Sequence, residues 1–300
     1  MNTQFSDFAF SHDKFPRSLC GYDVIDYIGE GAGSVIYVVS DPKTQQLYAL
    51  KHVVRKDDRD IRFVEQLENE YEVARQFSQG GLRRAIELKI NRTMLRKVVE
   101  AVLVLELFDG IPLENRPPTS MLETVDVFTK AAHALETLHQ LGYIHCDIKP
   151  NNILVGPNGD VKIIDFGQAC KAGTIKERIQ GTPDYIAPEQ VRREPVSIRT
   201  DIFCLGATMY WTLCGKKIPT LFTLKKSENS FLVDNKIATP REFNSKVPEN
   251  ISNLVMDCVR TAPSKRPVNM GEVAGRLEIM HHGLAAQQCK AASNATAGTL

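Results

Sequence analysis

The chain changes character once, at the breaker-rich segment FDGIPLENRPP (108–118), and this limits it to a fold with a strand-forming first part and a helix-forming second part. Upstream, YDVIDYI, SVIYVVS and LYALKHVV alternate β-branched, aromatic and polar residues around a glycine cluster and the turn DPKTQQ, so they read as three strands joined by tight turns. Apolar residues at Phe63, Leu67, Val73, Ala74 and Phe77 then space a helix, and two more strands follow at 85–90 and 98–107. The expectation is a small five-stranded, mostly antiparallel sheet with one helix. Downstream, Val125–Leu141, Asp201–Cys214, Ile251–Arg260 and Met270–His281 read as helices, with the short β-like runs ILVGP and VKIIDF between the first two.

This organisation divides the 300 residues into an N-terminal extension (1–21) whose four phenylalanines show no clean period, a sheet domain (22–107), a helical domain (108–282) and a tail (283–300). The tail is small and polar, and is expected to be disordered. Thirty-seven Lys and Arg against 36 Asp and Glu leave a net charge of +1, so no global field favours nucleic acid or an anionic membrane. The seven cysteines are scattered without a C-x-x-C pair, which points to reduced thiols in a cytoplasmic setting. No run approaches 18 apolar residues and the N-terminus lacks signal-peptide order, so the chain is expected to have no membrane span and to stay in the cytoplasm.

Three stretches carry chemistry. GEGAGSVIY (Gly29 to Tyr37) is a glycine-rich hairpin in which Gly31 and Gly33 would let backbone amides approach phosphate oxygens; Ser34 stands where G-x-G-x-x-G has its third glycine, and a strand rather than a helix follows, which excludes a dinucleotide-binding turn. YALK ends a strand on Lys51, a cation for α and β phosphates if a carboxylate holds it; Glu70 is the candidate, in competition with Glu65, Glu68 and Glu72. YIHCDIKPNNILV (143–155) and VKIIDFGQA (161–169) supply Asp147, Lys149, Asn152 and Asp165. That is the inventory phosphoryl transfer requires: a carboxylate for the attacking hydroxyl, a cation for the transferred group and oxygen ligands for Mg²⁺.

With these motifs, and with GTPDYIAPE (181–189), TDIFCLG and SKRP, the sequence resembles the eukaryotic-type serine/threonine protein kinase family over roughly residues 22–280. The short activation segment and lack of long inserts look more like a bacterial member. The resemblance implies an α+β, bilobal protein kinase fold that uses ATP and Mg²⁺ to phosphorylate Ser and Thr hydroxyls of protein substrates, including its own. It assigns Asp147 to the substrate hydroxyl, Lys149 to the γ-phosphate, Asn152 and Asp165 to Mg²⁺, and Lys51 with Glu70 to the α and β phosphates. ATP would be met by Gly29, Glu30, Gly31, Ala32, Gly33 and Ser34. Ile36, Ala49 and Leu154 would sandwich the adenine, with Leu105 as gatekeeper and the backbone of Glu106 to Phe108 at its edge. Supports are implied as well: Glu189 with Arg266, Asp201 under the catalytic loop, His145 against Phe166, and Thr182 bridging Asp147 and Lys149. Because the reactive set is complete, a catalytically dead scaffold has little support, and GTPDYIAPE disfavours a small-molecule alcohol as substrate.

Two departures matter. Cys146 stands before Asp147 where many regulated kinases carry an arginine that receives an activation-loop phosphate, so Thr174 is expected to be dispensable as a phosphorylation site. Cys146 and Cys170 lie near the site and read as inert small side chains, with redox sensitivity as the alternative. The basic run of Arg83, Arg84, Lys89, Arg92, Arg96 and Lys97 reads as a solvated face, with a docking site for an acidic partner as the alternative.

Overall fold

A computed structural model of the protein describes residues 15–31, 33–78, 80–223 and 237–297. It divides into two compact units, one running to Leu67 and including Ile86–Leu107, the other formed by Glu68–Ala85 and everything from Phe108 onward.

In the first unit the strands β1 (Ser18–Leu19), β2 (Tyr22–Gly31), β3 (Ser34–Ser40), β4 (Leu47–Val54), β5 (Ala85–Arg92) and β6 (Val98–Glu106) form one sheet in the order β1-β2-β3-β4-β6-β5. The sequence reading of five strands misses β1, a two-residue strand too short to show a period, whose Leu19 pairs antiparallel with Tyr22. Asp41 tightens the β3–β4 turn by accepting the Lys43 N–H at 2.8 Å, and Gln45 supplies the left-handed residue (φ 60°). Tyr37, Val39, Leu50, Val102 and Val104 form the core of this sheet. Phe15 stacks on Tyr27 with ring centroids 5.0 Å apart, so the described part of the N-terminal extension is a packed arm; residues 1–14 lie outside the described residues.

Helix α1 (Ile61–Ala74) follows a short 3-10 turn capped by Asp57, and its buried stripe Val64, Leu67, Glu70, Val73 and Ala74 has helical spacing. The unit boundary falls inside it. Segment 68–85, which the sequence reading gives to the sheet domain, belongs to the second unit because Phe77 packs edge-on against Phe166 at 4.9 Å, Leu82 bridges to Ile163 and the Arg83 N–H donates to Ile163 O at 3.0 Å.

The second unit is mainly helical. Its element α2 (Met121–Gln140), capped by Ser120, buries Val125, Phe128, Leu135 and Leu138. The helices α3 (Pro188–Arg192), α4 (Ile198–Cys214), α5 (Pro240–Phe243), α6 (Glu249–Cys258) and α7 (Met270–Ala297) follow. α4 starts three residues before the sequence reading because Ser197 caps it, accepting the Arg199 N–H at 3.3 Å. Short strands β7 (Ile111–Pro112), β9 (Ile153–Val155) and β10 (Val161–Ile163) make one small sheet, and β8 (Tyr143–Ile144) pairs with β11 (Cys170–Lys171) in another. The expected disordered tail is corrected as far as Ala297. α7 packs on α2 and continues through an alanine-rich stretch, so the tail extends a helix already nucleated, where alanine is the best propagator. Residues 298–300 lie outside the described residues.

Candidate active site

The turn between β8 and β9 is built around one buried carboxylate, Asp201 of α4. It accepts the backbone N–H of His145 at 2.8 Å, that of Cys146 at 2.9 Å and the ring Nε2 of His139 at 2.9 Å. Burial alone would raise the Asp201 pKa; the His139 hydrogen bond leads the interactions that hold it below the usual aspartate value. These bonds hold Cys146 in the left-handed region at φ 66°, a conformation that costs a non-glycine residue about 1–2 kcal/mol. His145 is locked as the Nε2–H tautomer, since its Nδ1 accepts the Asp147 N–H at 3.3 Å while Nε2 donates to Ile164 O at 3.1 Å. Gln190 holds the same turn from α3, donating to Cys146 O at 2.8 Å.

On this frame Asp147 is 4% exposed, and four side chains converge on it. Lys149 Nζ donates to its Oδ2 at 2.9 Å and to Thr182 Oγ1 at 3.0 Å, while the Thr182 hydroxyl donates to Asp147 Oδ1 at 2.8 Å. Asn152 Nδ2 donates to Asp147 O at 2.8 Å, which leaves the Asn152 Oδ1 as the amide atom that can face a cation. Asp165 sits in the left-handed region (φ 66°, ψ 73°) before a 3-10 turn over Phe166–Gln168, and Gln168 Nε2 reaches Asp147 Oδ2 at 3.5 Å. The turn is anchored by Asn69 of α1, whose Nδ2 lies 2.9–3.2 Å from the carbonyls of Phe166, Gly167 and Ala169, and by Phe166 against His145 with centroids 5.2 Å apart. The donor set suits a hard divalent cation that keeps waters and phosphate oxygens, which asks for only one or two oxygen ligands from the protein. Among the described residues no cluster of three or more His, Cys, Asp or Glu is arranged to hold a metal.

Of the four competing glutamates of α1, Glu70 is fully buried, whereas Glu65 and Glu72 are exposed and Glu68 is half-buried. Arg83 approaches it at 3.9 Å and is itself only 6% exposed, which corrects the reading of Arg83 as part of a solvated basic face. Arg83 lies in the segment just before β5, where the Leu82–Ile163 bridge and its own N–H to Ile163 O fix the backbone within the second unit, a contact the local charge pattern does not reveal.

In the first unit Lys51 lies on β4 opposite Ile36 of β3 and Leu103 of β6, and Ala49 lies opposite Leu105; both Ala49 and Leu105 are buried. Glu106 ends β6, half-buried. Gly29, Glu30 and Gly31 close β2, and Ser34 opens β3 with its side chain buried. Gly33 is required on two counts: φ is +78°, and a Cβ there would lie 2.4 Å from the Phe63 ring. Ala32 lies outside the described residues. In the second unit Phe108 and Leu154 both border Gly110, whose Cβ would meet the Phe108 ring at 2.5 Å and Leu154 at 3.3 Å. A buried bidentate pair supports α3 and α4: Arg266 donates to the Glu189 carboxylate at 2.8 and 2.9 Å.

Sequence reasoning missed His139, Asn69 and Gln190. None stands in a recognisable motif, and each acts through a partner distant in sequence.

A family model described as Protein kinase domain matches residues 22–282. Among curated proteins, the chain is 26% identical over 265 residues to "Probable serine/threonine-protein kinase" of Clostridium acetobutylicum, covering 85% of this chain and 39% of that protein. It is 27% identical to serine/threonine-protein kinase PknD of Chlamydia abortus, covering 86% and 30%. It is 25% identical to Aurora kinase C of Mus musculus, covering 87% and 92%. The chain thus spans well under half the length of the two bacterial relatives. No helix among the described residues is long and apolar enough to cross a membrane.

Proposed function

The chain belongs to the protein kinase domain family, as a eukaryotic-type serine/threonine member, and on that premise we propose that it transfers the γ-phosphate of Mg-ATP to Ser and Thr hydroxyls of proteins, its own included. The observation that carries this reading is the closed triangle of Asp147, Lys149 and Thr182. Asp147 orients the incoming hydroxyl and takes its proton as the oxygen attacks. Lys149 holds one carboxylate oxygen and offers its ammonium to the charge on the transferred group. Thr182 keeps the pair in register.

Asn152 and Asp165 would hold the metal. Held there, Mg²⁺ would supply positive charge to offset the charge that develops on the phosphate as it is transferred. Gly31 and Gly33 present backbone amides to phosphate, while Lys51, Glu70 and the residues Gly29, Glu30, Ser34, Ile36, Ala49, Leu105, Glu106, Phe108 and Leu154 keep the roles that the resemblance gives them. We place the protein in the cytoplasm, in line with its seven free cysteines.

Incubating the purified chain with radiolabelled ATP, Mg²⁺ and a generic protein substrate tests the proposal, with Asp147→Asn and Asp165→Asn in parallel. Label recovered as phosphoserine and phosphothreonine from wild type alone is expected. Equal incorporation by the variants, or none by any, sinks it.

A further inference from the structure

We propose that Cys146 and Cys170 form an oxidative modification site, a dithiol that a hydroperoxide converts reversibly to a disulfide beside Asp147. The β8–β11 pair sets Cys170 opposite Ile144, two residues before Cys146, and brings the two sulfurs to 3.6 Å. Their surroundings, Ile144, Val196 and Ile198, are apolar and leave each sulfur the other as its nearest reactive neighbour.

The two thiols are not equivalent. Cys170 is partly exposed, whereas Cys146 is 1% exposed. The Cys146 hydrogen bond, more than any other interaction, pulls the Cys170 thiol down to about 6 against the opposing effect of burial, and Lys176 and Thr174 add to it. Conversely, the bond to Cys170 and burial push Cys146 well up. Cys170 therefore meets the oxidant as a thiolate and Cys146 stays a thiol. Cys204 and Cys258 offer a contrast within the same unit, being fully buried with thiols raised by burial.

The chemistry balances in two steps. The Cys170 thiolate attacks one oxygen of the hydroperoxide, the O–O bond breaks and hydroxide or alkoxide leaves, so that sulfur becomes a sulfenic acid. The Cys146 sulfur then displaces that oxygen, its proton leaves with the hydroxyl as water, and the S–S bond forms. Two equivalents of an external thiol reverse it.

Closing 3.6 Å to the roughly 2.05 Å of a disulfide draws the two side chains together and pulls on the backbone that carries them. The peptide drawn upon is that of Cys146, whose N–H and C=O are tied to Asp201 and Gln190 and which directly precedes Asp147. A shift of about 1 Å at a reacting group costs on the order of 100-fold in rate, so the oxidised protein is expected to lose at least about tenfold in turnover.

Trypsin makes the site readable, because Cys146 lies in peptide 131–162 (Lys149 being followed by proline) and Cys170 in peptide 163–171, one cysteine in each. The full chain is treated with hydrogen peroxide in small excess, free thiols are alkylated, and the digest is weighed with and without dithiothreitol. The expected result is a joined 131–162/163–171 species, two hydrogens lighter than its parts and split by dithiothreitol, which is absent from Cys170→Ser although that variant keeps the wild-type melting temperature. Full alkylation of both cysteines after peroxide, or Cys170 driven to sulfinic acid with Cys146 still alkylated, overturns the proposal. The mass readout does not depend on the kinase reading; the loss of turnover and its recovery on reduction do.

Discussion

Replacing Asp201 by Asn keeps the shape of the side chain and removes one acceptor. Two of its bonds reach Oδ2 and one reaches Oδ1, so the amide oxygen of Asn can take over the His145 and His139 donors only by turning its NH2 toward the Cys146 N–H. A buried donor then faces a donor. The lost charge-assisted bond and the stranded N–H together cost roughly 2–4 kcal/mol. For a chain of this size, at roughly 2–3 °C per kcal/mol, the melting temperature should fall by about 4–12 °C. Cys146, no longer held at φ 66°, relaxes to a negative φ and carries Asp147 with it, so kcat should drop by on the order of 100-fold with KM for ATP little changed. The two arms are a thermal melt and a steady-state phosphorylation assay. The pH dependence follows from the lowered Asp201 pKa: its contribution is fully present above the unfolded aspartate value of about 3.9 and is lost as pH falls through the folded value, so the gap between wild type and variant narrows on acidification. A variant melting within 2 °C of wild type, by the ~2–3 °C per kcal/mol scale, and turning over normally would refute the bracing argument.

Other substitutions probe separate features. Arg266→Leu strands the buried Glu189 carboxylate and also removes bonds to the carbonyls of Arg199, Arg260 and Thr261; it should cost about 3–5 kcal/mol, read from the urea midpoint, and a loss below ~1 kcal/mol would contradict the burial argument. Gly206→Ala would put a Cβ 2.5 Å from the Cys258 Cβ where α4 meets α6, so overpacking of about 1–3 kcal/mol should outweigh the roughly 1 kcal/mol gained in helix propensity; a higher urea midpoint would show that the helices can part. Thr174→Ala should retain most turnover in the phosphorylation assay, on the reading drawn from the family resemblance that Cys146 stands at the place of a phosphate-receiving arginine, and a collapse of activity would refute that reading.

Local features of this protein were legible before any coordinates. The strands β2 to β6, helix α1 and the long helices of the second unit follow from apolar spacing, a property of a few neighbouring residues and of the fixed repeat of each element. Asp147, Lys149 and Asn152 were legible for a related reason: they fall within six residues of one another, and a single tight turn brings them together. What the composition of residues 283–297 concealed was the packed helix that precedes them, on which an alanine-rich segment can propagate without paying for a nucleus.

Tertiary structure alone decided the pairings between distant residues. Which of four glutamates is buried, that Arg83 turns inward toward Glu70, that His139 reaches Asp201 across 62 residues, and that two cysteines 24 apart meet at 3.6 Å are outcomes of how strands register and helices dock. Periodicity says which face of an element is apolar; it carries no information about which partner that face will meet. Such meetings depend on closing long loops and filling one shared core, and so they become visible only when the whole chain is folded.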